Sequence, residues 1–79
     1  MLTPENQARL TEVIAETLGL AEDDISPETS PQNEPAWTSF SHLTLMSAVE
    51  EAFGIQLSMD EMTAAQSVAR LAEIVAKHA

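Results

Sequence analysis

The chain of 79 residues contains no cysteine, and this absence excludes disulfides and thiolate metal sites. Its two histidines, His42 and His78, lie far apart, and no carboxylates accompany them at metal-ligand spacing. No apolar run approaches the roughly 18 residues that span a bilayer, and no basic-then-apolar leader opens the sequence. We therefore expect a soluble, cytoplasmic protein that does not insert into a membrane.

Basic residues are also scarce: three Lys and Arg stand against 13 Asp and Glu, for a formal net charge of −10. Because phosphate contacts need lysine and arginine, this balance argues against a nucleic-acid partner. Basic protein surfaces are better candidate partners, since electrostatic attraction speeds the encounter between them and an acidic protein. Solubility alone is the other explanation of the acidity.

Four helices are predicted: the three longer ones from a capping residue followed by apolar residues at helical spacing, and the short third one from the capping box Ser58-Met59-Asp60-Glu61. They run from Pro4 to Leu18, from Ser39 to Phe53, from Met59 to Ala64 and from Val68 to about Lys77. No strand is predicted. The fold class is therefore all-α, a small bundle of three longer helices plus one short helix, forming a single domain over residues 1–79.

A long connection joins the first two helices, and its three prolines cannot sit inside a helix. We expect Leu20 and Ile25 to anchor it over the core. The alternative is a disordered linker between two helical units. That alternative is disfavoured because the first helix alone would have nothing to bury against.

The second helix has two different faces. On a helical wheel its core face carries Leu45, Val49 and Phe53, with His42 and Met46 beside them. The opposite face carries Phe40, Leu43, Thr44, Ser47 and Glu51. Large apolar side chains on an outer face, next to a serine, indicate a docking surface.

Ser39, at the start of this helix, is the candidate site, and its position allows three interpretations. A nucleophile paired with His42 is disfavoured, because no third group, flanking glycine or oxyanion site accompanies the pair. An attachment point for a group added by another enzyme suits the helix amino end, which favours a phosphate. A plain polar first-turn residue also remains open on physical grounds alone.

Two blocks of sequence resemble the acyl carrier proteins and their aminoacyl and peptidyl relatives. That family opens its second helix with Asp-Ser-Leu, where this chain has Thr38-Ser39-Phe40. A block like Glu-Glu-x-Phe-Gly-Ile follows at a fixed distance, matched here by Glu50-Glu51-Ala52-Phe53-Gly54-Ile55. The resemblance covers the whole chain and implies that Ser39 takes a phosphopantetheine arm from coenzyme A. The arm's thiol would hold an acyl or aminoacyl thioester, and the carrier itself would not be an enzyme.

The resemblance also implies partners: a phosphopantetheinyl transferase, a loading ligase for acyl or aminoacyl groups, and downstream synthases or transferases of lipid, fatty-acid or specialised biosynthesis. A monomeric carrier is expected. The implied partner face comprises Thr38, Phe40, Leu43, Ser47, Glu50 and Glu51. Apolar core residues would shelter or exclude the cargo, namely Leu45, Val49, Phe53, Leu71 and Val75. The alternative is an unmodified acidic adaptor that keeps the fold and lacks the arm.

Departures from the family pattern surround the serine. Thr38 replaces the usual aspartate; it still caps a helix but carries no negative charge. Phe40 replaces leucine, and Ser41 and Thr44 occupy positions that often bear acids. The run from Trp37 to Leu43 looks like that of a stand-alone carrier from a dedicated pathway, with partners other than those of ordinary fatty-acid synthesis.

Overall fold

The computed structural model describes residues 2–78 and folds them into four α-helices. These are α1 (Pro4–Leu18), α2 (Ser39–Phe53), α3 (Met59–Ala64) and α4 (Val68–His78). A short 3₁₀ turn, Glu22–Asp24, lies in the first loop. The described residues contain no strand, which confirms the all-α class.

Local capping chemistry sets the helix boundaries. Thr3 Oγ1 accepts a hydrogen bond from the Asn6 N–H at 3.1 Å and starts α1. Gly19 and Gly54 end α1 and α2 with φ angles of 70° and 64°, in the left-handed region that glycine adopts without a Cβ penalty. The predicted bounds are confirmed for the first three helices, and α4 continues one residue further, to His78.

The core lies where α1, α2 and α4 face one another. Its fully buried members are the aliphatic and methionine side chains predicted from helical spacing, with Phe53 only half-buried. The largest of them are Leu10, Ile14, Leu45, Met46, Leu71, Val49 and Val75. Burying such side chains contributes roughly 1.5–3 kcal/mol each, so the contact between α1 and α2 holds α2 firmly.

The long first loop packs against the bundle. Leu20 and Ile25 are half-buried against the core, as the sequence predicts. The carbonyl of Thr29 accepts from the Val68 N–H at 2.9 Å, and that of Pro27 accepts from the Ala69 N–H at 3.0 Å. The loop thereby supplies acceptors for the first amide groups of α4, which explains how its backbone is satisfied without regular structure.

Within residues 2–78, none of the helices is both long enough and apolar enough to cross a membrane.

Candidate functional site at the start of α2

Ser39 is the first residue of α2, and its side chain is exposed. The hydroxyl therefore faces solvent at a helix amino end, where another protein can reach it.

The turn that presents Ser39 is fixed by a capping box made from two hydroxyl residues. Thr38 Oγ1 accepts from the Ser41 N–H at 3.1 Å, and Ser41 Oγ accepts from the Thr38 N–H at 2.7 Å. Ser41 also donates to the Ala36 carbonyl at 2.7 Å, which ties the turn to the preceding loop. The cap by Thr38 is confirmed, whereas Ser41 takes the place that Glu or Gln usually fills and was missed from the sequence.

A chain of two hydrogen bonds runs from the loop through α2 to α3. Trp37 is almost fully buried, and its Nε1–H donates to His42 Nδ1 at 2.9 Å. His42 Nε2 lies 2.7 Å from the carbonyl oxygen of Met62 and donates to it. The two rings stack with centroids 6.0 Å apart and planes 21° apart.

This network fixes the chemical form of His42. Because Nδ1 accepts and Nε2 donates, the ring is the neutral tautomer with its proton on Nε2. Both nitrogens are engaged with groups other than Ser39, so the structure does not bring Ser39 and His42 together as a nucleophile and base. His42 is half-buried on the core side of α2, where the helical wheel placed it.

A groove of about 380 Å³ opens beside Ser39, between α2 and α3. Leu43 and His42 line it from α2, and Met59 and Met62 line it from α3. Leu43, Met59 and the neighbouring Phe40 are highly exposed, with 63%, 77% and 80% of their surfaces accessible. Phe40 and Leu43 were assigned to the outer face from the sequence, but Met59 was not, because its helix is too short for a periodic pattern.

The two acids of the predicted partner face, Glu50 and Glu51, lie near the carboxyl end of α2, away from Ser39. Glu50 is half-buried, and its Oε2 accepts from the Leu57 N–H at 2.7 Å, which orders the segment between α2 and α3. Glu51 is exposed and lines a second groove together with Arg9 and Glu12 of α1. The structure thus keeps Thr38, Phe40 and Leu43 beside Ser39, while Ser47, Glu50 and Glu51 are further along the helix.

Helix α3, one wall of the groove, is held by the carboxylate of Glu61. Its Oε1 accepts from the Ser58 N–H at 2.9 Å, in the capping box that the sequence predicts. Its Oε2 lies 2.9 Å from Nε2 of His78 in α4. The hydrogen bond from Ser58, and then that from His78, lower the pKa of Glu61 below its usual value.

A comparison with known protein families matches most of this architecture. The family model described as the phosphopantetheine attachment site matches residues 8–75. The match covers most of the chain and includes the start of α2, the groove and α3.

Proposed function

The chain belongs to the phosphopantetheine-attachment-site family of acyl carrier proteins, and on this premise we propose that Ser39 is the serine that bears its arm. Proteins of this family are carriers with phosphopantetheine covalently attached to a serine. The observation that carries the assignment is the position of Ser39: an exposed hydroxyl at the first residue of α2, inside the matched region.

The first turn of α2 suits a phosphodiester on Ser39. The backbone N–H groups of Ser39 and Phe40 lie in this turn, where a helix has no intrahelical acceptor for them. Together with the positive end of the helix dipole, they favour a negative group at this place. Once attached, the arm supplies a thiol that holds a carboxylic acid as a thioester.

The attachment is a phosphoryl-type transfer carried out by a separate transferase. The Ser39 oxygen forms a bond to the phosphorus that bears the pantetheine of coenzyme A. The bond from that phosphorus to the bridging oxygen breaks, and adenosine 3′,5′-bisphosphate leaves. The hydroxyl proton passes to a base of the transferase, since both His42 nitrogens are engaged within the carrier.

The cargo in this proposal is an acyl or aminoacyl group of a lipid or specialised biosynthetic pathway. A loading ligase attaches it, and downstream synthases or transferases consume it. Leu43, Met59 and Met62 support this class of cargo, because they give the groove beside Ser39 an apolar lining. We place the protein in the cytoplasm as a monomeric single carrier domain over residues 1–79.

The proposal is tested by incubating the purified protein with coenzyme A and a broad-range phosphopantetheinyl transferase. We expect the intact mass to rise by one phosphopantetheinyl group in the unaltered chain and in Ser47→Ala, a matched control at another exposed serine of α2. Ser39→Ala should show no gain. A gain in Ser39→Ala would place the arm on another residue.

A second candidate function is an unmodified acidic adaptor. The observation that favours it concerns Thr38, the residue before Ser39. Thr38 caps α2 through its hydroxyl and carries no carboxylate. The same mass measurement separates the two functions. No gain with any transferase, in a protein that still binds a basic partner, would support the adaptor.

A further inference from the structure

Three side chains near Ser39 form what we call the apolar patch: Phe40 and Leu43 of α2 and Met59 of α3. Each has more than half of its surface exposed. Leu43 and Met59 line the same groove as Ser39, and Phe40 is the next residue along the chain. The patch therefore borders the attachment hydroxyl on two helices.

The surroundings of the patch on α2 carry no formal charge. The chain has 13 acidic residues, yet residues 35–49 include no Asp, Glu, Lys or Arg. Glu50, the next acid along α2, is about 16 Å from Ser39 at about 1.5 Å of rise per residue. That distance exceeds the screening length of about 8 Å at physiological ionic strength.

The acids that border this neutral segment are mostly engaged within the protein. Glu34 Oε2 accepts from the Ala36 N–H at 3.0 Å, and Glu50 Oε2 is bound by the Leu57 N–H. Glu61 is held by Ser58 and His78. Asp60 is the exposed acid that adjoins Met59 in sequence, so it is the one to test for an electrostatic contribution.

We infer that the enzyme that transfers the arm to Ser39 docks on the apolar patch through an apolar pocket that receives Phe40. No ring of basic residues surrounds that pocket on the enzyme. This inference rests on the proposed function. An enzyme that reacts with the Ser39 hydroxyl must cover its neighbours, and on α2 these include two exposed apolar side chains and no charged residue. Charge complementarity therefore calls for a neutral, apolar surface, in contrast to the basic partner that the net charge alone suggests.

Phe40 is the expected anchor of this contact, since a large exposed aromatic side chain that becomes buried is a typical interface hot spot. Leu43 and Met59 would surround it and exclude water. Because hydrophobic contact depends little on screening by salt, the rate of arm transfer should vary little with ionic strength.

The test measures kcat/KM for arm transfer from coenzyme A by the phosphopantetheinyl transferase purified from the same host. We expect Phe40→Ala to lower kcat/KM at least about tenfold, mainly through KM, and Phe40→Leu to recover most of the loss. Asp60→Asn should change it less than about twofold, as should raising the salt from about 0.05 M to about 0.5 M. Circular dichroism and the thermal midpoint would show whether each variant keeps the fold.

A steep fall of kcat/KM with salt would overturn the inference, as would a loss in Asp60→Asn as large as that in Phe40→Ala. In either case the arm still reaches Ser39, so the proposed function would stand. A complete lack of attachment to the unaltered chain would instead overturn the proposed function and the inference together.

Discussion

At the scale of single residues, Thr38 separates two properties that an aspartate would combine. Its Oγ1 caps α2 by accepting from the Ser41 N–H, so the turn that presents Ser39 is formed. It supplies no negative charge next to the hydroxyl of Ser39, the proposed attachment point. The effect of the missing charge on arm transfer can therefore be measured without disturbing the helix.

Thr38→Asp is expected to raise the rate of arm transfer from coenzyme A, chiefly in kcat. The carboxylate keeps the cap and adds charge at the helix amino end, where it stabilises the helix by about 0.3–1 kcal/mol. Thr38→Asn is the matched control, because its side chain caps equally well and is neutral. A rate for Thr38→Asp no higher than that for Thr38→Asn would contradict the role given to charge at this position.

His42 is the residue whose removal should loosen the site most. His42→Phe leaves the buried Trp37 Nε1–H without its acceptor and the Met62 carbonyl without its donor. An unsatisfied buried group costs about 1–3 kcal/mol, so the free energy of unfolding in urea should fall by about that amount. The emission of Trp37, the sole tryptophan, should shift towards longer wavelength as its surroundings admit water.

Thr44→Ala is the control for this prediction, since Thr44 is an exposed residue of the same helix and its loss should cost less than about 0.5 kcal/mol. Equal stability of His42→Phe and Thr44→Ala, with unchanged tryptophan emission, would show that the two hydrogen bonds of His42 contribute little.

At the scale of secondary-structure elements, α3 depends on its attachments. A helix of six residues is far below the length that is stable alone. It is held by its own capping box, by the Glu61 carboxylate next to His78 of α4, and by the bond from His42 to the Met62 carbonyl. These contacts position Met59 and the wall of the groove beside Ser39.

The lowered pKa of Glu61 predicts a pH dependence of stability. Because the pKa in the folded state lies below the usual 4.5, the ionised carboxylate stabilises the fold above that pH. The contribution is lost as the pH falls through the lowered value. Glu61→Gln should therefore lower the thermal midpoint at neutral pH, and the difference from the unaltered chain should shrink on acidification below about 4.5.

Glu16→Gln, at an exposed position of α1, serves as the control for the general effect of removing one acid. A difference between Glu61→Gln and the unaltered chain that stayed constant down to strongly acidic pH would contradict the stabilising role of the ionised carboxylate.

The helices were predictable because their signals are local. A cap, an apolar stripe and a terminal glycine lie within one segment, and Thr38, Ser58 and the two glycines act where the sequence indicates. The bond between His42 and Met62 joins residues 20 positions apart, and the bonds from α4 to the first loop span a greater separation. No periodicity reveals such pairs, so Met59 and Met62 emerged as parts of the site only from the folded structure.

At the scale of the whole molecule, charge and apolar surface are segregated. All 13 acids lie in α1, in the first loop or beyond residue 49, while residues 35–49 around Ser39 carry no Asp, Glu, Lys or Arg. The acidic remainder opposes self-association, and the neutral end presents the groove and the hydroxyl to partners. This arrangement suits a small carrier whose proposed attachment point, Ser39, is modified by other enzymes.

The most direct test of the central claim is the mass of the protein purified from its own host, followed by fragmentation to locate any added group. We expect a population heavier than the translation product by one phosphopantetheinyl group on the peptide that contains Ser39, and no such population for Ser39→Ala expressed in the same host. An unmodified mass in every growth phase, or the group on another residue, would contradict it.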